Sequence, residues 1–506
     1  MTPMAEKEQQ AGADPYAATR ARFEGLIHRL DDPEVVRLSH AELEEVLDAD
    51  GREVLRQLLQ DHLDLRAVRE QRSAAVVDRE GVPRSSVEPK HKRTLTTLFG
   101  DVRVTRLAYR ERGHSNLHPA DAHLNLPAEQ YSHGLRKRAA IEASRDSFAE
   151  AGEAIRRATG QQVGKRQVEQ LAQRAAVDFD RFYAEAERPT AAVEDVLALS
   201  FDGKGIVMRQ EALRPATAAA AAEAATKPTT RLSKDEKSHR KRMAELGVVY
   251  DATPVPRTPA DILGPPADTA TPRAPAPTAK GKWLTASVVQ SPATVIASAF
   301  DEAQRRDPEH RRPWVALVDG NNVQIDCIRA QAQARQVGVT IVLDFIHVLE
   351  YLWNAAACFF PAGSSDAETW VQEKGRAVLA GHAVTVAAAI RRKATCRKLA
   401  HDARHHADVC ADYLLRKRAC LDYPTALQRG WPIATGVIEG ACRHLVKDRL
   451  DLTGARWGLL SAEAVLKLRA LRTNDDFDRY WKYHLAAERH RVHATRYAGD
   501  LIPGAA

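Results

Sequence analysis

Five consecutive apolar residues, Trp314 to Val318, close on Asp319 in PWVALVDGNN. A run without polar alternation is what a strand buried on both faces requires, and such strands belong to parallel or mixed sheets covered by helices. Asn321 and Asn322 lead into a helical segment rather than a partner strand, so Asp319 is expected at the carboxyl end of a sheet, where open α/β folds bind ligands. Two more acidic residues end apolar runs and precede a glycine: Asp202 in VLALSFDGKG and Glu439 in ATGVIEGACR. Singly, each has a plain reading. Asp-Gly between apolar runs is a hairpin signal, and around Asp202 a turn between Val196–Phe201 and Ile206–Met208 fits. A lone Glu on a helix is usually solvated. Together, the three are candidates for one site in which paired divalent cations activate an oxygen nucleophile against phosphate.

Composition narrows the setting. The chain has 506 residues, enough for two to four domains, and 44% of them are hydrophobic. No apolar run approaches the roughly 18 residues of a membrane span, and MTPMAEKEQQ lacks a signal-peptide core. A soluble cytoplasmic protein with no membrane partner is expected. Cysteines 327, 358, 396, 410, 420 and 442 form no CxxC pair, which suits free thiols. The net charge of +7 is uneven: residues 1–70 hold 9 Lys and Arg against 16 Asp and Glu, and the remainder 65 against 51. The basic part favours a polyanionic partner, although a spread excess is also an ordinary solvated surface.

Along the chain, residues 1–85 read as an N-terminal helical region, a packing or self-association segment with Leu43, Val46, Leu47, Val54, Leu55, Leu58 and Leu59 at helical spacing. Residues 86–132 contain a hairpin signal, TLTTLFGDVRVTRLAYR, turning at Gly100 and Asp101, with Arg103, Arg106 and Arg110 facing either phosphates or solvent. Residues 133–190 are helical. Within them SFAEAGEAIRRATG and QQVGKRQVEQLAQRAAVDF read as a helix-turn-helix or a generic helical hairpin. In the first reading Lys165, Arg166 and Gln167 begin the helix that meets base edges. Residues 191–350 should form a mixed sheet flanked by helices, interrupted by Ala- and Pro-rich insertions at 211–233 and 253–281 that read as loops or disordered segments. Lys234–Arg242 is a basic run that suits a DNA backbone or a solvated helix, and Leu246–Tyr250 a strand.

After the strand GVTIVLDF come Asp344 and, one helical turn on, His347, either a carboxylate and histidine supplementing the metal site or a helix cap with an interior histidine. Residues 351–430 read as an all-helical insertion. Its Cys396, His401, His405, His406 and Cys410 match no common zinc spacing and read as part of one amphipathic helix, so zinc is not expected. Residues 431–506 bring the glutamate helix, where Glu439, Arg443 and Lys447 recur every four residues on one face. Beyond it, Arg456 and Trp457 suit stacking on an unpaired base or packing as a lid.

The succession ALSFDGKG, MAELGVVYDA, WVALVDGNN, VLDFIHVLEYLW and WPIATGVIEGACRHLVKDRLDLTGARWG resembles the ISKra group of bacterial insertion-sequence transposases, relatives of Mutator-like elements. The likeness extends to RQLLQDHLDLR and FGDVRVTRLAYR. It implies an RNase H-like α/β catalytic domain with a D, D, E triad, an all-helical insertion before the glutamate, and a cytoplasmic bacterial protein. The triad falls on Asp202, Asp319 and Glu439, and Asp344 with His347 matches an Asp-x-x-His element. The expected chemistry is strand cleavage and transfer with two Mg²⁺ (or Mn²⁺) ions and no covalent protein intermediate. Asp344 is a supplementary ligand, and Lys204, Arg443, Lys447, Arg456 and Trp457 join the helix-turn-helix residues as DNA contacts. The partners would be double-stranded DNA, as terminal inverted repeats and target, and a second copy in a dimer. The rival readings are an RNase H-like nuclease or resolvase, and a non-catalytic DNA-binding regulator derived from a transposase.

Overall fold

The computed structural model describes residues 14–188, 192–223, 240–264, 273–452 and 454–504. They fall into two compact units, one running to Phe182 and resuming at Asp476, the other Tyr183–Asp475.

The first unit starts with helices α1 (Ala17–Leu30) and α2 (His40–Arg69). Ser39 and Glu42 form a capping box that satisfies the amide groups opening α2. Leu63 near its end joins Leu95, Val102, Val104 and Leu126 in a core over the hairpin β1 (Ser86–Thr97) and β2 (Gly100–Arg110). The closing pair is Thr97 with Gly100, so the turn is Leu98–Phe99, two residues earlier than the expected Gly100–Asp101. Gly100, at φ +134° with the Arg56 side chain 2.8 Å from where a Cβ would stand, is the first residue of the return strand. Arg106 is buried and paired in two-pronged fashion with Asp121, at 2.6 and 3.1 Å, so it builds the fold rather than facing phosphates or solvent.

Three helices follow: α3 (His133–Arg145), α4 (Phe148–Thr159) and α5 (Lys165–Ala175). Gly160, left-handed at φ +71°, ends α4. A Cβ on Gly152 would stand 2.7 Å from the Val163 carbonyl, so the turn rides directly on α4. The C-terminal helix Phe477–Val492 closes this unit rather than the sheet domain, correcting the expected assignment of residues 476–506. The reason is burial: His484 Nδ1 meets Asp178 at 2.7 Å, Arg491 adds bonds of 2.9 and 3.0 Å to the same carboxylate, and Tyr480 donates to the Ala175 carbonyl at 2.6 Å.

The second unit holds a five-stranded sheet of order β5-β4-β3-β6-β7. Its strands are β3 (Val196–Val207), β4 (Lys241–Ala252), β5 (Ala279–Ser287), β6 (Trp314–Val318) and β7 (Val339–Leu343). β4 runs antiparallel to both β3 and β5, and β6 and β7 run parallel to β3. This is the mixed, helix-flanked α/β sheet that the sequence predicts. The segment around Asp202 is not a turn. β3 passes straight through Asp202 and Gly203, pairing them with Leu246 and Glu245, because β4 is long enough to continue the ladder.

Helix α6 (Pro292–Arg306) covers the face on which Phe201 lies, since a Cβ on its partner Gly247 would meet both Phe201 and Ala299. Strand alternation turns Asp202 to the other face. Helix α7 (Asn322–Ala334) follows β6, and α8 (Phe345–Ala357) follows β7. The helical insertion continues with α9 (Ser365–Leu379), α10 (Ala383–Cys396) and α11 (His401–Arg416). Cys396 and His401 thus lie on two helices broken at Lys398 (φ +52°), not on one continuous helix. Helix α12 (Gly436–Ala441) carries Glu439, and α13 (Leu459–Thr473) returns to the sheet.

The two biased segments are partly built. Pro215–Glu223 is a short helix, as its alanines favour. In TPVPRTP, Pro254 and Pro256 have no amide to donate, but the alternating Val255 and Arg257 donate to Gly430 and Leu427 carbonyls at 3.0 Å each. The strap ends in the helix Pro259–Leu263, and β5 begins at Ala279. Residues 224–239 and 265–272, including most of the basic run, lie outside the described residues.

Candidate active site

Register brings the aspartates level. β3 and β6 pair at a constant offset of 117 from Leu197–Trp314 to Ser200–Leu317, which Asp202 and Asp319 keep. β6 and β7 pair at an offset of 25 from Trp314–Val339 to Val318–Leu343, which Asp319 and Asp344 keep. Asp202 within β3, and Asp319 and Asp344 just past the ends of β6 and β7, therefore lie on one row across three neighbouring parallel strands, with roughly 4.8 Å between adjacent strands.

Each carboxylate is held differently. Asp202, half-buried, accepts the Cys442 thiol at 3.1 Å. Burial, then the Asp202 charge, pushes that thiol's pKa well up, so Cys442 stays a donor. Asp319 lies in the turn after β6 and accepts the Asn321 amide at 2.8 Å, while Gly320 takes φ +102°. Asp344 is fully buried. It caps α8 through Ile346, accepts the Thr435 amide at 3.1 Å, and meets His347 Nδ1 at 3.1 Å. Burial alone would raise the Asp344 pKa, but His347 and Thr435 bring it below the ordinary value. The bond from Asp344, against the cost of burial and with help from Glu350 and Asp319, raises His347 to about 9. His347 is thus a half-exposed cation beside the row.

Glu439, on α12, is exposed and accepts the Thr435 hydroxyl at 3.1 Å. Thr435 therefore touches both Asp344, through its amide, and Glu439, through its side chain. The Glu439 helix widens into a π-helical turn at Cys442–Lys447, which disturbs a strict four-residue stripe. Even so, Arg443 and Lys447 are both exposed. Lys204 is half-buried on β3, two residues past Asp202 on the same face, and its charge bears on Cys442.

One contributor escaped the sequence reading. Glu245 on β4 is 7% exposed and accepts Gln324 Nε2 at 2.7 Å. Burial pushes its pKa up to about 7, Gln324 opposes this, and the nearby charges of Asp202 and Asp319 push further. The only signal in the sequence was its place beside an apolar run, just before Leu246.

Trp457 is not offered to a base. It is 5% exposed, donates to the Leu450 carbonyl at 3.0 Å, and carries the Arg449 guanidinium 4.7 Å above its ring. Its backbone pairs with Val207 and Arg209, sealing the far end of β3, so of the two readings the lid is correct. Arg456 beside it is exposed. In the first unit Lys165, Arg166 and Gln167 are all exposed at the start of α5, behind the Gly164 cap.

The donor chemistry around the row suits a hard divalent cation: carboxylate oxygens, a thiol kept protonated, and Glu245, which burial first and then the charges of Asp202 and Asp319 leave half protonated near neutrality. Among the described residues, however, no three His, Cys, Asp or Glu side chains stand close enough together to hold a metal ion. The backbone elements converge; the side chains, bonded to Cys442, Asn321 and Thr435, do not form a closed ligand set. Among the same residues no helix is long and apolar enough to cross a membrane. No curated protein matches the chain. Residues 36–212, from just before α2 through β3, match an uncharacterised protein family, UPF0236.

Proposed function

We propose that the protein is a DDE-type DNA transposase that cleaves and joins strands at the ends of an insertion sequence. The observation that carries this reading is the level row of Asp202, Asp319 and Asp344 at the carboxyl edge of a mixed sheet, with the Glu439 helix tied to it through Thr435. The strand order, three antiparallel strands followed by two parallel ones, supports an RNase H-like sheet.

Asp202, Asp319 and Glu439 would hold the metal ions, two Mg²⁺ or Mn²⁺, with Asp344 held back by its bonds to His347 and Thr435. Bound there, such ions supply Lewis-acid polarisation of a phosphate and an activated oxygen nucleophile. The chain's own residues bind and orient. His347, charged near neutrality, offers a donor to a phosphate oxygen at the edge of the row. Lys204, Arg443, Lys447 and Arg456 add cations for the DNA backbone, and Lys165, Arg166 and Gln167 supply sequence reading from the other unit.

The test uses duplexes carrying the DNA that flanks the gene, with Mg²⁺ present. The wild-type chain is expected to nick these ends and join them to target DNA. Asp319→Asn should reduce both to background while the salt-dependent DNA affinity stays within about two-fold, because phosphate affinity rests on Lys and Arg. Nicking without joining would move the assignment to a nuclease or resolvase. Specific binding with no cleavage by the wild type would move it to a DNA-binding regulator.

A further inference from the structure

The helical insertion touches the carboxylate row through two tyrosines. Tyr413 on α11 donates its hydroxyl to the Asp319 carbonyl at 3.0 Å. Tyr423, fully buried at the start of the short helix Tyr423–Gln428, donates to the Leu343 carbonyl, the residue before Asp344, also at 3.0 Å. These acceptors sit at the ends of β6 and β7, where the sheet ladder stops and a carbonyl needs another donor.

The fit at Asp319 is close. A Cβ on Gly320 would lie 3.0 Å from the Tyr413 hydroxyl, and the φ of +102° already favours glycine. The Tyr413 ring is stacked on Tyr351 of α8, centroids 4.0 Å apart and planes 13° off parallel. That fixes the ring from behind, on the helix that Asp344 caps. Lys417, one helical turn further along, bonds Asn322 at the start of α7. On the opposite side, Gln324 ties α7 to Glu245 of β4. The Asp319 turn is thus clamped between the insertion and the sheet.

We infer that Tyr413 and Tyr423 are positioning residues: the insertion holds the strand ends bearing Asp319 and Asp344 in register with one another and with Glu439, which follows the insertion in the chain. This rests on the transposase reading for its catalytic consequence, but not for the clamp itself. A hydroxyl deletion that keeps the ring, Tyr413→Phe, separates the two.

Hydrogen exchange of the full chain is measured first. In Y413F the amides of residues 319–322 should exchange about five-fold faster, the equivalent of one lost hydrogen bond, while α10 is unchanged. Strand cleavage is then measured on the same proteins. Y413F should lower kcat by about five- to ten-fold with KM for DNA unchanged, and Y423F should act in the same direction. If exchange at 319–322 is unaltered in Y413F, the clamp is wrong. If the wild type cleaves DNA and Y413F matches its kcat, the positioning role is wrong even though the bond exists. If exchange responds but the wild type does not cleave, the clamp stands and the transposase reading fails. Should Y423F not fold, the Y413F pair of readouts decides alone.

Discussion

Glu245 carries the clearest consequence at the scale of a single residue. Its folded pKa of about 7, set by burial and then by Asp202 and Asp319, lies above that of an unfolded Glu. The folded state therefore binds more protons between about pH 4.5 and 7, and stability falls as pH rises through that window. Glu245→Gln keeps a partner for Gln324 but removes the charge. In metal-free buffer it should melt above the wild type at pH 8, by about 1–3 kcal/mol, with the gap closing towards pH 5. Equal melting at pH 8 would show that burial and the charges of the row do not raise the Glu245 pKa. Trp457 makes the opposite point. A Trp near a basic stripe suggests base stacking, but this one is core, so Trp457→Ala should cost about 3–5 kcal/mol in denaturant unfolding. At temperatures where the variant is folded, DNA affinity should be kept. Sequence alone left both Trp457 readings open, because burial is a property of neighbours that arrive from Val207 and Arg449.

At the scale of elements, the α4–α5 helix pair depends on one close approach. Gly152 of α4 lies under the Val163 carbonyl in the turn, with no space for a Cβ. Gly152→Val should destabilise α4–α5 by about 1–3 kcal/mol. It should also weaken sequence-specific DNA binding more than Arg166→Ala does, as fluorescence anisotropy against specific and random duplexes would report. The helices α4 and α5 and the glycine turn between them were legible, since Gly160 and the two apolar periodicities are local signals. The strand around Asp202 was not. DGKG favours a turn, and only the twelve-residue partner β4 overrides that preference by continuing the ladder. The Pro-rich strap at 253–257 was missed for a related reason: its alternating donors matter only because Gly430 and Leu427 lie beside it.

At the scale of the whole molecule, the two units should respond differently to acid. His133 and His118 in the first unit are each held at about 4, by burial first and then by Arg136 and Arg106 respectively. His133 Nδ1 accepts from Arg136 while Nε2 faces the Asn125 carbonyl, so an added proton would confront the guanidinium. The unfolded chain takes up these protons near pH 6.5, so their stability is present above that pH and is lost as pH falls towards 4. Together the loss should be about 1–3 kcal/mol. Exchange in α3 and in the C-terminal helix Phe477–Val492 should accelerate over that interval, while β6 and β7 of the second unit stay protected. Uniform acceleration would place the acid-labile groups elsewhere. What the sequence determined by itself was local: the apolar run before Asp319, the α/β alternation, the helical periodicities and the aspartates that follow β6 and β7, all set by side chains close together in the chain. What only the tertiary structure decided was pairing. The level row of Asp202, Asp319 and Asp344, the proton on Glu245, the lid formed by Trp457 and the return of Asp476–Ala506 to the first unit all depend on partners tens to hundreds of residues away. Periodicity along one strand or helix carries no information about which distant segment will supply the hydrogen bond, the charge or the buried face.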